Sequence, residues 1–397
     1  MKDLTKGKPS SLILSFAFPI FLANLLQLTY SLADTRIVGS FLGEDALAAV
    51  GSTSTVSNLI IGFLLGLANG FAIITAQRFG AKDIKGMKKS FAASILLGTG
   101  ISIVLTVLGM IFKNTLLGFL NVPHNLYGEA GAYIFIIIAG MTATFLYDSC
   151  AAVLRSLGDT ITPLIILLVS VALNITGDLF FVVVLKSGVR GAAIATVLAQ
   201  IIAFVICFVY MFKKYEILRL TKSDFTSLDG NLVRNMLGSG LSMGFMSSLV
   251  NIGSLTLQTA INKLGQDIIV AHTAARKISE MFMIMFTVFG QTMATYCGQN
   301  MGAGRIDRVK TGIKSALIYT CSWCVLTVIA SYTIGDWLIY LVTGSNNENV
   351  IRNAVNYLKF DTVFYFVTAF ICILRNAMQG LGEHIIPLVS SSLEMVG

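Results

Sequence analysis

The sequence predicts an all-α integral membrane protein made of two homologous halves. Hydrophobic residues make up 55% of its 397 residues and charged residues only 12%, about half of the roughly 25% charge content of soluble domains. The mean hydropathy is +0.80. Ten continuous apolar runs are long enough to cross a bilayer, and sequence motifs in the first half return in the second half.

The apolar runs predict the membrane spans. A transmembrane helix needs about 20 predominantly apolar residues. The runs are continuous, whereas barrel strands alternate between polar and apolar residues over about ten positions, so helices are expected. The runs cover residues 12–33, 46–76, 91–112, 130–154, 162–185, 191–212, 236–261, 268–297, 313–342 and 354–374.

Two pairs of motifs identify an internal duplication. Leu42-Gly43-Glu44-Asp45 and Gln77-Arg78-Phe79-Gly80-Ala81-Lys82 return as Leu264-Gly265-Gln266-Asp267 and Gln299-Asn300-Met301-Gly302-Ala303-Gly304, because 265 − 43 and 299 − 77 both give 222. Leu157-Gly158-Asp159 returns as Leu381-Gly382-Glu383 at an offset of 382 − 158 = 224. Matched motifs at nearly one offset indicate two homologous halves.

The repeat also predicts the domain organisation. Residues 1–212 form an N-terminal lobe of helices 1–6, residues 213–235 form a polar cytoplasmic linker, and residues 236–397 form a C-terminal lobe of helices 7–10. The first lobe has two more spans after Pro163, whereas the second has ten residues after Pro387. We therefore expect two six-helix bundles, twelve helices in all, of which ten are present and the last two are missing from the second lobe. Either the sequence is a fragment, which we favour, or its second half stops early.

The charge distribution predicts the orientation. The formal net charge is +8, but no basic face carries interleaved aromatic residues, so nucleic-acid binding is not expected. With a cytoplasmic N-terminus, the cytoplasmic segments hold nineteen basic residues and the outer segments six, as the positive-inside rule requires. The cytoplasmic set is Lys2, Lys6, Lys8, Arg78, Lys82, Lys85, Lys88, Lys89, Arg155, Lys213, Lys214, Arg219, Lys222, Arg234, Arg305, Arg308, Lys310, Lys314 and Arg375, and the outer set is Arg36, Lys113, Lys186, Arg190, Lys263 and Arg352.

Cysteine and histidine usage argues against an enzyme, a metal site or a cofactor. The six cysteines are scattered and mostly lie singly in apolar runs, which does not indicate a disulfide framework or a zinc site. The three histidines lie in different segments without ligand spacing. The chain has no His-Glu-x-x-His motif of the kind that a membrane-embedded metalloenzyme would need.

Polar side chains inside the first-lobe spans predict an ion site. Such residues are costly in a membrane and are therefore functional candidates. Asp34, Asp178 and Thr196 all lie at roughly 8–12 Å depth from the outer side at 1.5 Å per residue, and Asn174 is one turn from Asp178 on the same helix face. These groups form a hard-oxygen set for an alkali cation or a proton. The alternative is that Asp34 pairs with Arg36 or caps a helix end.

Three further residues have predicted roles of other kinds. Asp148 lies closer to the cytoplasm and either lines a substrate cavity or satisfies a neighbouring helix. Glu280 is a substrate-cavity candidate, although its spacing from Arg276 favours an ion pair. Pro19 is expected to bend the first helix and to act as a hinge. By the repeat, Asp34 aligns with Thr256 (256 − 34 = 222), so the two lobes do not carry the same acids and the ion site is placed in the first lobe.

These residues resemble those of the multidrug and toxic compound extrusion (MATE) family, most closely its bacterial DinF-like branch, and the likeness covers the whole chain. The residues that carry the resemblance are Asp34, Val38-Gly39, Leu42-Gly43, Gln77, Gly80-Ala81, Leu154-Arg155, Gly158-Asp159, Asn174, Asp178, Gly191-Ala192-Ala193, Ala195-Thr196, Gln200 and Gln299-Asn300-Met301-Gly302-Ala303. The family pattern usually has an amide near the position of Asp148.

The resemblance implies a secondary antiporter in the cell membrane that exports organic, often cationic, compounds in exchange for Na⁺ or H⁺. It assigns Asp34, Asn174, Asp178 and Thr196 to the cation site and Pro19 to the bend of helix 1. Membrane lipid is the expected partner besides the substrate, and a monomer is expected. A lipid-linked-precursor flippase of the related superfamily is the alternative, but it should have a strongly cationic central cavity, and the spans contain few basic residues.

Overall fold

The computed structural model describes residues 2–120, 122–226, 228–261, 265–344 and 347–396. Lys263 and the side chain of Thr256, both used in the sequence predictions, lie outside the described residues. The described chain is helical throughout, which confirms the predicted fold class. Its helices are α1 Pro9–Leu42, α2 Glu44–Gly80, α3 Ile84–Ile111, α4 Lys113–Phe119, α5 Tyr127–Ser156, α6 Ile161–Asp178, α7 Gly188–Lys214, α8 Lys222–Thr226, α9 Gly230–Ile261, α10 Gln266–Gly302, α11 Ile306–Thr333, α12 Gly335–Thr343, α13 Glu348–Leu381 and α14 Ile385–Val396.

Eight helical segments of the described chain are apolar and long enough to cross a membrane: α1, α2, α3, residues 124–156, residues 161–184, α7, α11 and α13. The two other predicted spans, 236–261 and 268–297, lie within α9 and α10. One predicted span was wrong in its extent. Residues 313–342 do not form one helix, because α11 ends at Thr333 and α12 begins at Gly335. Gly335 and Asp336 directly follow this break and are its signal in the sequence, although the residues on either side are mostly apolar.

The helix bounds reproduce the sequence repeat. α2 and α10 each have 37 residues, and α3 and α11 each have 28. Gly43 and Gly265 precede α2 and α10 with φ of 89° and 97°, and Gly158 and Gly382 follow α5 and α13 with φ of 86° and 95°. Glycine reaches these positive φ values without the steric cost that a Cβ imposes. The duplication therefore extends to the backbone conformation of the connections.

Packing divides the chain into two compact units. Unit 1 comprises Met1–Asp3 and Leu22–Ser248, and unit 2 comprises Leu4–Phe21 and Leu249–Gly397. α1 and α9 each contribute residues to both units. The predicted lobes 1–212 and 236–397 follow the sequence repeat rather than this packing, and they stay predictions.

The predicted linker 213–235 contains helical residues. α7 continues to Lys214, α8 lies within the segment, and α9 begins at Gly230. Leu218 is fully buried in a cluster of unit 1 that includes Met87 and Tyr215. Burial of the Leu218 side chain stabilises the packing of the segment against the helices of unit 1. The polar composition of the segment does not reveal this tertiary contact.

Close packing joins α2 to the first part of α9 within unit 1. A Cβ on Gly70 would lie 2.5 Å from the carbonyl oxygen of Ser239, and one on Gly66 would lie 2.5 Å from that of Met243. The Ser239 hydroxyl also donates to the Gly70 carbonyl oxygen at 2.9 Å. Glycine is needed at both positions because only a hydrogen atom fits between the two backbones.

Candidate functional site

Asp34 lies inside α1, eight residues before its end at Leu42 and so about 12 Å from that end at 1.5 Å per residue. Its Oδ1 atom is buried and has no hydrogen-bond partner among the described residues. The alternative role for Asp34 is not seen in the described structure, since Arg36 is exposed and makes no ion pair with it. Asp34 therefore presents an unsatisfied oxygen to the interior of unit 1.

Asp178 is the last residue of α6 and is fully buried. Neither of its carboxyl oxygens has a hydrogen-bond partner in the described part of the chain. A π-helical turn, Leu179–Val184, follows it directly. Such turns are rare and often occur at functional sites.

Thr196 on α7 connects the site. Its Oγ1 accepts a hydrogen bond of 3.2 Å from Asn174 Nδ2, and it shares a hydrogen bond of 3.3 Å with the hydroxyl of Tyr30 on α1. Asn174 lies one turn before Asp178 on α6, and its Oδ1 is buried without a described partner. Helices α1, α6 and α7 thus bring all four predicted residues of the ion site together.

The two carboxyl groups and two tyrosines form one electrostatic unit. Asp34 and Asp178 are close enough to interact with each other, and Tyr30 and Tyr133 each interact with both acids. The sequence analysis missed both tyrosines. Tyr30 precedes Asp34 by four residues and therefore lies on the same helix face, so spacing alone identifies it. Tyr133 has no comparable local signal.

The arrangement can hold a small cation or a proton. A buried carboxylate without a donor or a counter-ion costs several kcal/mol of folding free energy. Asp34, Asn174 and Asp178 together have four buried oxygen atoms without hydrogen-bond partners in the described structure. Carboxylate, amide and hydroxyl oxygens are the ligands that hard cations prefer. Protonation of one carboxyl group would remove the same cost. The geometry suits either species.

Asp148 is not part of this group. It lies 15 residues beyond Tyr133 on α5, about 22 Å along the helix axis. Its electrostatic partner is Arg155 on the same helix, whose guanidinium donates to Asn69 Oδ1 at 3.3 Å. The two groups form no ion pair within 4.0 Å in the described structure, and a role for Asp148 in a substrate cavity stays a prediction.

Glu280 in unit 2 forms the predicted ion pair. Its carboxyl oxygens lie 4.0 Å from Arg276 Nη2 and 3.5 Å from Lys277 Nζ, and its side chain is half exposed. This confirms the ion-pair interpretation. A contact between Glu280 and substrate stays a prediction.

Unit 2 has a partly buried acid that the sequence analysis missed. Asp361 Oδ2 accepts hydrogen bonds of 2.8 Å from Ser279 Oγ and 3.0 Å from Tyr365 OH. His272 is nearby and packs edge-on against the Tyr357 ring with centroids 5.2 Å apart. Asp361 thus obtains donors from its own unit, in contrast to Asp34 and Asp178.

Comparison with known proteins gives one family match that covers most of the chain. The MatE family model matches residues 19–180 and 242–396. A "probable multidrug resistance protein" of Bacillus subtilis, YpnP, is 28% identical over 391 residues, which cover 98% of this chain and 86% of that protein. The probable multidrug resistance protein NorM of Thermotoga maritima is 23% identical over 382 residues, 95% of this chain and 81% of that protein.

Solved structures show the same fold. A MATE structure in complex with MaL6 has a TM-score of 0.92 at 23% identity, covering 99% of this chain and 88% of that one. An outward-facing multidrug resistance MATE transporter also has a TM-score of 0.92, at 22% identity, with 99% and 87% covered. These likenesses support the multi-pass helical architecture.

Proposed function

Because the chain belongs to the MATE family of membrane transporters, we propose that it is a secondary antiporter that exports organic cations in exchange for Na⁺ or H⁺. The proposal is carried by one observation: Asp34 and Asp178 lie together inside unit 1 with carboxyl oxygens that no described group satisfies. An ion or a proton from solution would satisfy them. Transport rather than catalysis is the activity of the family.

The coupling between ion binding and transport follows from the free-energy cost of two neighbouring buried carboxylates that hold no ion or proton. Without an occupant, two adjacent carboxylates repel each other in a medium of low dielectric constant. Binding of a cation or a proton removes this repulsion and stabilises the conformation that holds Asp34 on α1 next to α6 and α7. A ligand that binds one conformation more tightly shifts the population toward it. An ion gradient can thus drive alternating access.

Pro19 is suited to transmit this change along α1. Proline has no backbone N–H and clashes with the carbonyl four residues earlier, so it weakens the helix at this position. α1 remains helical through Pro19, and it changes its packing from unit 2 to unit 1 between Phe21 and Leu22. Pro19 therefore lies two residues before Phe21, the last residue of α1 that packs in unit 2. A bend at Pro19 would redirect the part of α1 that carries Asp34.

The cargo is proposed to be a set of organic cations. The relatives from Bacillus subtilis and Thermotoga maritima are named as multidrug resistance proteins. Exchange of an organic cation for an inorganic cation or a proton at one acidic unit also conserves the local charge balance. If the organic cation and the coupling ion compete for these acids, binding of one must lower the affinity for the other.

The test is ion-driven efflux from proteoliposomes that contain the chain. A fluorescent organic cation should leave its compartment faster when a Na⁺ or H⁺ gradient of the correct direction is imposed. Asp34→Asn should abolish this dependence, whereas Asp45→Asn, at an exposed acid near the start of α2, should retain it. Wild-type efflux that ignores both gradients would reject the antiport proposal.

A further inference from the structure

A cavity in unit 1 lies outside the ion site. Its volume is about 500 Å³, and residues of α4, α5 and α7 line it, among them Lys113, Tyr127, Phe135, Ile136 and Arg190. Lys113 follows the end of α3, Tyr127 begins α5 and Arg190 lies in the first turn of α7. The cavity is therefore at the end of unit 1 where α3 ends and α5 and α7 begin.

The cavity is positively charged. Lys113 and Arg190 are its only charged lining residues, and no acidic side chain lines it. In the described part of the chain, neither residue forms an ion pair with an acid. Lys113 Nζ instead lies 5.6 Å from the centroid of the Phe135 ring, a cation–π contact that leaves the positive charge uncompensated.

One side of the cavity is apolar and open. Phe135 is 44% exposed, and Phe112, which directly precedes Lys113, is 52% exposed. Large apolar side chains exposed on a membrane-spanning helix are suited to contact with lipid chains. A cationic group beside such a surface, at the end of the spanning helices, is placed where the phosphates of the bilayer lie.

The duplicated half provides an internal comparison. Unit 2 has a cavity of about 340 Å³ at the repeat-related position, lined by Asp336, Glu348, Arg352 and Lys359 among others. Asp336 corresponds to Asn114 (336 − 114 = 222) and Lys359 to Phe135 (359 − 135 = 224), both of which line the first cavity. In unit 2 the two basic residues are accompanied by two acids. The fold thus forms the cavity in both halves, but only the cavity of unit 1 is basic.

We propose that the unit 1 cavity binds the phosphate group of an anionic membrane lipid. Lys113 and Arg190 contact the phosphate, since arginine and lysine are the usual phosphate ligands. Phe135 and Ile136 contact the adjoining part of an acyl chain. The apolar wall favours a lipid over free phosphate, which would gain nothing from it. The cavity of unit 2, in which acids offset the cations, is not expected to bind the same group.

The test is equilibrium binding of short-chain phosphatidylglycerol to the full chain in detergent. Inorganic phosphate and short-chain phosphatidylcholine are the comparison ligands. The double variant Lys113→Gln/Arg190→Gln should weaken phosphatidylglycerol binding at least about tenfold, because it removes both charge-assisted contacts to the phosphate. Arg352→Gln/Lys359→Gln, the matched change in unit 2, should leave it unchanged.

The outcomes separate the possible sources of the ligand. Lys113→Arg/Arg190→Lys retains both charges and should retain binding. If binding is lost in the glutamine variant but retained in this variant, the loss is due to the missing charges and not to misfolding. Equal affinity for phosphatidylcholine, equal affinity for inorganic phosphate, or an equal loss in the unit 2 variant would each overturn the proposal. None of these measurements depends on transport, so they are independent of the proposed antiport.

Discussion

At the scale of single residues, the environment of an acid decides its role more than its presence in a span does. Asp361 accepts hydrogen bonds from Ser279 and Tyr365, whereas the oxygens of Asp178 have no described donor. The sequence predicted Asp34, Asn174, Asp178 and Thr196 because polar groups in apolar runs are conspicuous. It could not predict that Asp361 accepts a hydrogen bond from Ser279, since that donor comes from another helix, although Tyr365 lies four residues after Asp361 on the same helix.

A double substitution tests whether Asp34 and Asp178 act as one site. Asp34→Asn and Asp178→Asn should each lower ion-driven efflux at least about tenfold, and the double variant should be little worse than either single variant, because residues that act as a unit are non-additive. Efflux in proteoliposomes with and without a gradient measures this. Multiplicative losses would indicate two independent sites.

Asp159 offers a test of pH-dependent stability outside the membrane spans. Burial alone would raise the pKa of its carboxyl group, but hydrogen bonds from Tyr215 and Thr162 lower that pKa overall. The Tyr215 hydroxyl donates to Oδ2 at 2.5 Å, and the Thr162 backbone N–H donates to Oδ1 at 3.0 Å. A lowered folded-state pKa stabilises the protein above the unfolded value of about 3.9.

This contribution is lost as the pH falls below about 4 and through the folded-state pKa. The melting temperature of the wild type should therefore decrease more steeply between about pH 5 and pH 3 than that of Asp159→Asn. The matched control is Asp45→Asn, at an exposed acid, which should follow the wild-type curve. Parallel curves for Asp159→Asn and the wild type would contradict the assignment.

At the scale of helices, the sequence analysis found the duplication and missed the breaks. The motifs at an offset of 222 correctly imply that α2 and α10, and α3 and α11, are equivalent. The π-helical turn after Asp178 occurs inside apolar sequence, whereas Lys113 and Asn114 follow the break at Phe112, and Gly335 and Asp336 follow the break at Ile334. The hydrophobicity of a segment indicates that it is buried in lipid or protein, but not whether its helix is continuous. An interrupted helix can also be buried when neighbouring helices pack against it.

Gly70→Ala tests the close approach of α2 and α9. The added methyl group would lie 2.5 Å from the Ser239 carbonyl oxygen, and such overpacking costs about 1–3 kcal/mol. The gain in helix propensity, about 1 kcal/mol, offsets only part of it, so the melting temperature should fall. Gly51→Ala is the control in the same helix, because its Cβ would meet nothing within 4 Å. It should melt at the wild-type temperature or slightly higher.

At the scale of the whole molecule, duplication has been followed by divergence in charge. The repeat preserves glycine conformations and helix lengths, while acids and bases differ between related positions. Asn114 corresponds to Asp336, and Phe135 corresponds to Lys359. Backbone geometry is retained because every helix depends on it, whereas a surface charge can change with little effect on folding. The repeat therefore predicts shape better than it predicts binding.

The basic residues predict one orientation for the whole chain, with the N-terminus in the cytoplasm. Cysteines introduced at Lys85 and Lys222, both exposed, should resist an impermeant thiol reagent in intact cells and react after the cells are opened. A cysteine at Gly118, where a Cβ would meet nothing within 4 Å, should react in intact cells, because α4 lies at the opposite end of the bundle. The native cysteines should be removed first, since Cys321 and Cys372 are partly exposed. If Lys85→Cys is labelled from outside and Gly118→Cys is protected, the predicted orientation is wrong and the N-terminus lies outside. The cavity of Lys113 and Arg190 would then lie at the cytoplasmic leaflet, where anionic lipids are also found.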